Sequence, residues 1–177
     1  NNANHIWFKW SINTSDSKHI LTSLKHPYCV IKRQKWLNFC KKQLSSERLT
    51  TSENDVLEKD GKLFVKNKKI KGDLVFDSRP PKFPSNILLQ HFEGFVVTSK
   101  KDVFDEKIVI LMDFRCDQSR GMHFIYLLPF SKRKALVEST MFSKKVENKE
   151  FYSNEITKYL KKYFNLVEFT KIDHEKG

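Results

Sequence analysis

The sequence predicts an α+β chain, mostly antiparallel sheet with two helices. Three observations carry this. Two apolar strands, F-I-Y-L-L-P-F-S from Phe124 and A-L-V-E-S-T-M-F-S from Ala135, flank a basic turn, as in a β-hairpin. Asp60-Gly61 lies between two short strand-like runs, and that pair tolerates the positive φ of a tight hairpin turn. Two segments, about 33–44 and 150–164, repeat apolar residues at helical spacing.

The elements follow in order. Residues 5–12 and 27–32 have strand character. From Arg33 to Leu44 the residues Trp36, Leu37, Cys40 and Leu44 fall on one helical stripe. After a polar connection comes a β-meander: V-L-E-K, the Asp60-Gly61 turn, K-L-F-V-K, a turn near Asn67-Lys68, and a strand K-I-K-G-D-L-V-F-D. The end of that strand, Leu74-Val75-Phe76, has the continuous apolar character of a buried parallel strand opening onto Asp77-Ser78-Arg79. Three prolines between Pro80 and Pro84 mark the clearest boundary. Strands over about 87–98 and 107–114 precede the 124–142 hairpin. The second helix carries Tyr152, Ile156, Tyr159, Leu160 and Tyr163 on one stripe, and L-V-E-F-T-K-I closes the chain as a strand. Three segments result: N-terminal strands over 1–32, a helix with a meander over 33–85, and a sheet with a covering helix over 86–177.

Composition narrows the function. The chain has 177 residues, 15 of them Phe, so it has ample material for a core. The net charge is +12, but the lysines are dispersed, which argues against a nucleic-acid site and for attraction to anionic lipid headgroups. Cys29, Cys40 and Cys116 form no CxxC, and no HExxH appears, so no metal is expected and the thiols read as reduced, in a cytosolic protein. No apolar run approaches the roughly 20 residues of a bilayer span. The ends, N-N-A-N and H-E-K-G, read as cuts within a longer protein.

Glu138 is the lone carboxylate of the second hairpin strand. A register symmetric about Ser131–Lys134 sets it opposite Leu127, on the face of Ile125, Leu136 and Thr140. Among apolar neighbours a carboxylate is either paired or kept protonated, and a protonated acid in an apolar cleft can serve acid catalysis. An edge glutamate reaching a lysine is the equally open alternative.

Q-H-F-E-G-F-V-V-T (90–98), L-M-D-F-R-C-D-Q (111–118), the two hairpin strands and G-D-L-V-F-D-S-R-P (72–80) resemble the bacterial lycopene cyclase family over essentially the whole chain. The resemblance implies a fragment of a flavoprotein hydroxylase-like fold. Residues 33–85 would be a partial Rossmann-type FAD domain and the rest an antiparallel substrate sheet. It implies reduced FAD, a lipophilic carotene, and a non-redox, proton-initiated cyclisation of the ψ-end of lycopene to a β-ionone ring, an isomerisation of the intramolecular-lyase type. It assigns acid–base chemistry to Glu138. Asp113 is a second catalytic candidate, although Asp113, Arg115 and Asp117 read first as a salt-bridged strand end. Phe92, Phe114, Tyr126 and Phe130 are the aromatic substrate-binding candidates, and Ser78 and Arg79 the cofactor-binding ones. The expected location is cytoplasmic, peripheral on the inner face of the cell membrane. The five glycines form no GxGxxG, so these 177 residues alone are expected neither to hold FAD nor to turn over. Another flavoenzyme of the same fold, an isoprenoid reductase or hydroxylase, and a non-enzymatic basic binding module remain the competing readings.

Overall fold

The structure is a computed structural model and describes residues 3–44, 56–72, 74, 76, 78, 84 and 86–177. In chain order the elements are β1 (His5–Trp7), β2 (Lys9–Asn13), β3 (Lys18–Thr22), β4 (Tyr28–Val30), α1 (Arg33–Gln43), β5 (Val56–Lys59), β6 (Lys62–Val65), β7 (Lys68–Lys69), β8 (Leu89–Thr98), β9 (Ile108–Asp113), β10 (Met122–Ser131), β11 (Lys134–Ser143), α2 (Lys149–Phe164) and β12 (Thr170–Lys176). They fall into two units: residues 1–31 with 84–177, and residues 32–83.

In the first unit a seven-stranded sheet runs in the order β12-β8-β11-β10-β9-β2-β3. All its pairs are antiparallel except β2 with β9. The strand expected over 5–12 is broken at Phe8. Its first half, β1, pairs with β4 in a separate ribbon, and only β2 joins the large sheet. The strand β3 lies in a polar stretch, K-H-I-L-T, all of it exposed, and so lacked the apolar signal that marks a strand. The closing strand begins at Thr170, later than the apolar run 166–172 suggested, because Leu166 turns into the core instead.

Helix α2 covers one face of the sheet. Asn148 caps it by accepting from the Phe151 N–H at 2.9 Å, and Asn165 ends it in the left-handed region at φ 49°. Its buried stripe, Tyr152, Ile156, Tyr159 and Leu160, packs on the sheet, where Phe95, Val97, Ile125, Leu127, Ala135 and Val137 form the main core. The opposite face carries a second cluster of Trp7, Val109, Leu128 and Leu136, joined by Tyr28, Val96 and Tyr126. Trp7 is locked there by its indole N–H, which donates to the carbonyls of Glu106 (3.1 Å) and Pro129 (3.2 Å).

The hairpin register differs from the symmetric one. Ser131 pairs with Lys134 across the two-residue turn Lys132-Arg133, but the register shifts between Pro129 and Ser131. Pro129 has no N–H for the ladder, and Phe130 is absorbed as a bulge. The turn is held from outside: Lys132 O accepts from the Val103 and Phe104 N–H groups and Arg133 O from Ser99 N–H. Glu138 therefore faces Tyr126, not Leu127. A one-residue shift exchanges every partner across the strands.

The second unit contains α1 and the antiparallel meander β5-β6-β7. Asp60 (φ 51°) and Gly61 (φ 67°) make the first turn; Lys66 (φ 50°) and Asn67 (φ 62°) make the second, one residue earlier than expected. Trp36, Leu37, Phe39 and Leu44 are exposed on α1, with Trp36 stacked on Phe39 at 5.6 Å. Among the described residues, the buried parallel strand expected at Leu74-Val75-Phe76 is not found. Leu74 and Phe76 are 79% and 89% exposed, and no described strand pairs with them, so their side chains have no sheet to enter. Val75, Arg79 and most of the proline boundary lie outside the described residues.

Asp113 ties the first unit together. Its fully buried carboxylate accepts from Asn13 Nδ2 on β2 (2.9 Å), Tyr159 OH on α2 (2.7 Å), and Arg115 Nε (2.8 Å) and Nη2 (2.6 Å). Burial alone raises its pKa, but the hydrogen bonds from Arg115, Tyr159 and Asn13 together outweigh burial and hold it below the usual carboxylate value. Replacing Asp113 with Ala is expected to cost about 3 kcal/mol in urea denaturation, the low end for breaking a buried pair, because the Arg115 side chain is 30% exposed and partly solvated when abandoned. A depressed folded pKa means that the wild-type advantage over this variant is complete above the ordinary aspartate pKa and fades as pH falls through the folded value.

Candidate functional site

Four residues stand in register across four adjacent strands: Tyr126 on β10, Glu138 on β11, Gly94 on β8 and Glu175 on β12. Strand alternation turns this row away from α2. Gly94 is the clearance in it. A Cβ at Gly94 would lie 2.5 Å from Glu138 Cγ and 3.3 Å from the Val137 carbonyl, so the Glu138 side chain lies across the glycine. Glu175 lies beyond the glycine in the same row and is the neighbour whose hydrogen bonding and charge act on the Glu138 carboxyl. A hydrogen bond between two carboxyl groups needs a proton between them. Burial first, then the hydrogen bond and negative charge of Glu175, push the Glu138 pKa up to about 8. Glu138 is thus largely protonated at neutral pH.

Next to Glu138, the Tyr126 hydroxyl is hydrogen-bonded to that of Tyr28 on β4. Burial, then the Tyr28 contact, raise the Tyr126 phenol above its ordinary value, so it stays neutral. Aromatic rings continue the same face. Phe92 lies two residues along β8 from Gly94 and rests on Gly177, where a Cβ would come within 2.6 Å of the ring. Phe114 meets Phe124 at 5.7 Å, and Phe124 meets Phe142 at 6.4 Å. Phe130 packs near His5 (5.6 Å) and Trp7 (6.2 Å).

The candidates from the sequence are thus partly assembled. Glu138, Phe92, Phe114, Tyr126 and Phe130 share one face. Asp113 does not join them: it lies under α2, with the sheet between it and Glu138, and its oxygens are occupied by four side-chain hydrogen bonds. Asp117 is exposed and holds Ser119 through its N–H (3.0 Å) and hydroxyl (2.9 Å). Ser78 is exposed outside any strand, and Arg79 lies outside the described residues. Tyr28 and Glu175 went unnoticed in the sequence. The one available signal was Gly94, a glycine inside a strand, which marks a close approach of neighbouring atoms.

The α2 face also holds two buried histidines, kept neutral. Burial lowers the pKa of both. His123 Nδ1 donates to the Asp117 carbonyl (2.9 Å), leaving Nε2 to accept from Ser139 (2.8 Å). His91 Nε2 donates to Ser143 (2.9 Å), whose hydroxyl is given to the Lys145 carbonyl, and Nδ1 accepts from Tyr152 (2.6 Å). These networks are closed within the protein.

Helix α1 lacks the features that hold a pyrophosphate at a helix N-terminus. Helix α1 is entered from Lys32, which makes no side-chain cap, and no glycine turn precedes it to admit a pyrophosphate. Among the described residues no cluster of His, Cys, Asp and Glu is able to hold a metal, and no helix is long and apolar enough to cross a membrane.

The lycopene cyclase protein family model matches residues 1–177. Among solved structures the chain is similar to a geranylgeranyl bacteriochlorophyll reductase-like protein from Thermoplasma acidophilum, at TM-score 0.59 and 12% identity, over 99% of this chain and 50% of that one. The chain therefore spans about half the length of that structure, and at this identity the likeness concerns the fold. No curated protein matches the chain.

Two outcomes follow from the row. Gly94→Ala is expected to destabilise the chain by about 1–3 kcal/mol, as overpacking does. Thermal or urea unfolding measures this, and Gly94→Ala combined with Glu138→Ala should recover part of the loss. A carboxyl whose folded pKa is raised from 4.5 to about 8 binds more protons folded than unfolded across that window. Stability should therefore decline as pH rises from about 4.5 to about 8. Unfolding curves of Glu138→Gln across the same range should show a weaker decline.

Proposed function

The chain belongs to the lycopene cyclase protein family, and from that membership we propose that it forms the carotene-facing sheet of an enzyme that cyclises the ψ-end of lycopene to a β-ionone ring. The observation that carries this reading is the place of Glu138 on an aromatic face of the sheet, where burial and Glu175 raise its pKa.

The reaction is an isomerisation. A terminal double bond is protonated, the cation is attacked by a second double bond to close a six-membered ring, and a proton leaves to form the ring double bond. Glu138 has the properties of the first proton donor: it is neutral near pH 7 and held by its neighbours in one orientation. A positioned general acid contributes roughly 10²–10⁴-fold. The π-faces of Phe92, Phe114, Tyr126 and Phe130 favour a cation near them and exclude water that would trap it. Asp113, already consumed by its hydrogen bonds, is left as a structural residue.

Reduced FAD is the cofactor of the proposed reaction, and Ser78 and Arg79 remain its candidate contacts on this chain. A carotene partitions into membrane, and the charge of +12 favours a peripheral position on an anionic cytoplasmic surface, at about 1 kcal/mol per basic residue near the lipid. A second reading, an isoprenoid reductase of the same fold, draws support from the description of the Thermoplasma acidophilum structure. The two differ in stoichiometry. A reductase consumes one reduced nicotinamide per product, whereas a cyclase needs reduced flavin only catalytically.

The test is Glu138→Gln in the flavin-loaded enzyme. It keeps shape and hydrogen bonding and removes the transferable proton. Expected are normal folding and flavin content, with lycopene cyclisation reduced by at least about 10²-fold in product chromatography. Asp113→Asn is the comparison and should cost less activity than stability. Near wild-type conversion by Glu138→Gln would place the acid elsewhere.

A further inference from the structure

We propose that Glu175 is the positioning partner of Glu138: the two carboxyl groups share a single proton across Gly94, and Glu175 aims that proton at the substrate face. Its catalytic meaning rests on the cyclase reading, while the shared proton rests on the strand register and the Gly94 clearance together with the raised pKa of Glu138.

The geometry is specific at each step. Register places Glu138, Gly94 and Glu175 on one line over three neighbouring strands. The missing Cβ at Gly94 opens the path between the two side chains. Strand β12 is fixed on both sides of Glu175. His174 turns to the α2 face, where its Nε2 meets Glu93 Oε1 at 2.9 Å and its ring stacks on Phe95 at 5.1 Å. Beyond it, Gly177 and Phe92 exchange backbone hydrogen bonds of 3.2 and 2.9 Å. Alternation then leaves Glu175 facing Glu138. The other titratable groups facing the pair are Tyr126 from β10 and, behind it, Tyr28 from β4, both phenols. Among the described residues no lysine or arginine forms an ion pair with either carboxylate. Glu175 is exposed on the edge strand while Glu138 is largely covered, so ionising Glu138 beside it is costly, and one shared proton relieves the repulsion.

The arrangement suits a reaction that takes one proton and returns one. Donation forms a C–H bond from the π pair of the terminal alkene and leaves the carboxyl pair doubly anionic beside the cation. Ring closure uses a second π pair to form a C–C bond. A C–H bond next to the new cationic centre then breaks, its electron pair becomes the ring double bond, and its proton returns to the carboxyl pair. No oxidant, reductant or further acid is consumed.

The test is a pH titration of the side-chain carboxyl carbons of the chain labelled with ¹³C-glutamate, followed by NMR. In the wild type, Glu138 should titrate near 8, and in Glu175→Gln its midpoint should fall by about one pH unit or more. An unchanged Glu138 midpoint overturns the shared proton. Should Glu175→Gln fail to fold, Glu175→Ala is read in the same way: the Glu138 midpoint should fall, and an unchanged one overturns the proposal. In the flavin-loaded enzyme, Glu175→Gln should lower cyclisation at least about tenfold and move the pH–rate profile, with partial rescue by Glu175→Asp. If the titration shift appears but the wild type cyclises no acyclic carotene, the cyclase reading fails and the shared proton stands.

Discussion

The register of the β10–β11 hairpin is the constraint on which the rest depends. Because strand side chains alternate with period two, a single residue absorbed at Phe130 decides whether Tyr126 or Leu127 meets Glu138. With the bulge, Phe124, Tyr126 and Leu128 share the face of Glu138, while Ile125 and Leu127 go to the core beneath α2. Without it the two sets would trade places, putting a phenol into the α2 core. Three backbone N–H groups from the 99–104 segment, bound to the turn carbonyls, help hold the bulged form.

The sheet then separates two chemistries. Beneath α2 the polar groups are mostly closed against one another: Asp113 with its four side-chain donors, His123 with Ser139, His91 with Tyr152 and Ser143. Such networks fix geometry and have little left to offer a ligand. On the other face the acid Glu138 is raised in pKa and surrounded by rings. Each face holds one such carboxyl, yet Asp113 is held ionised by its donors, whereas Glu138 is kept neutral by burial and a like-charged neighbour.

Much of this was legible in the sequence. The hairpin strands, the meander with its Asp60-Gly61 turn, both helices and the unusual position of Glu138 follow from periodicity and turn chemistry. The parts that were not legible share a physical cause. The bulge depends on hydrogen bonds from a distant loop, and β3 is a polar edge strand without an apolar face. Leu74 and Phe76 carry the composition of a buried strand but have no described neighbour to pair with. Glu175 becomes informative only once β12 is laid beside β8, a pairing no local pattern encodes. Asp113 and Glu138 both invite a catalytic reading as isolated acids, and only the two-sidedness of the sheet sets them apart.

The parallel contact between β2 and β9 has a consequence for how the chain comes together. It joins residues about a hundred positions apart, as does the Trp7 indole with Glu106 and Pro129. During synthesis the amino-terminal strands emerge long before the segment they pair with. For that interval Trp7, Trp10 and Ile12 have no core to enter, while the β8–β11–β10–β9 portion, built from later and closer neighbours, can assemble without them. Loop-closure entropy favours a late docking of β1 and β2 onto the assembled strands. This interval is when the chain is most exposed to misassociation, and a chaperone that shields residues 5–13 would act on this stage rather than on the finished sheet.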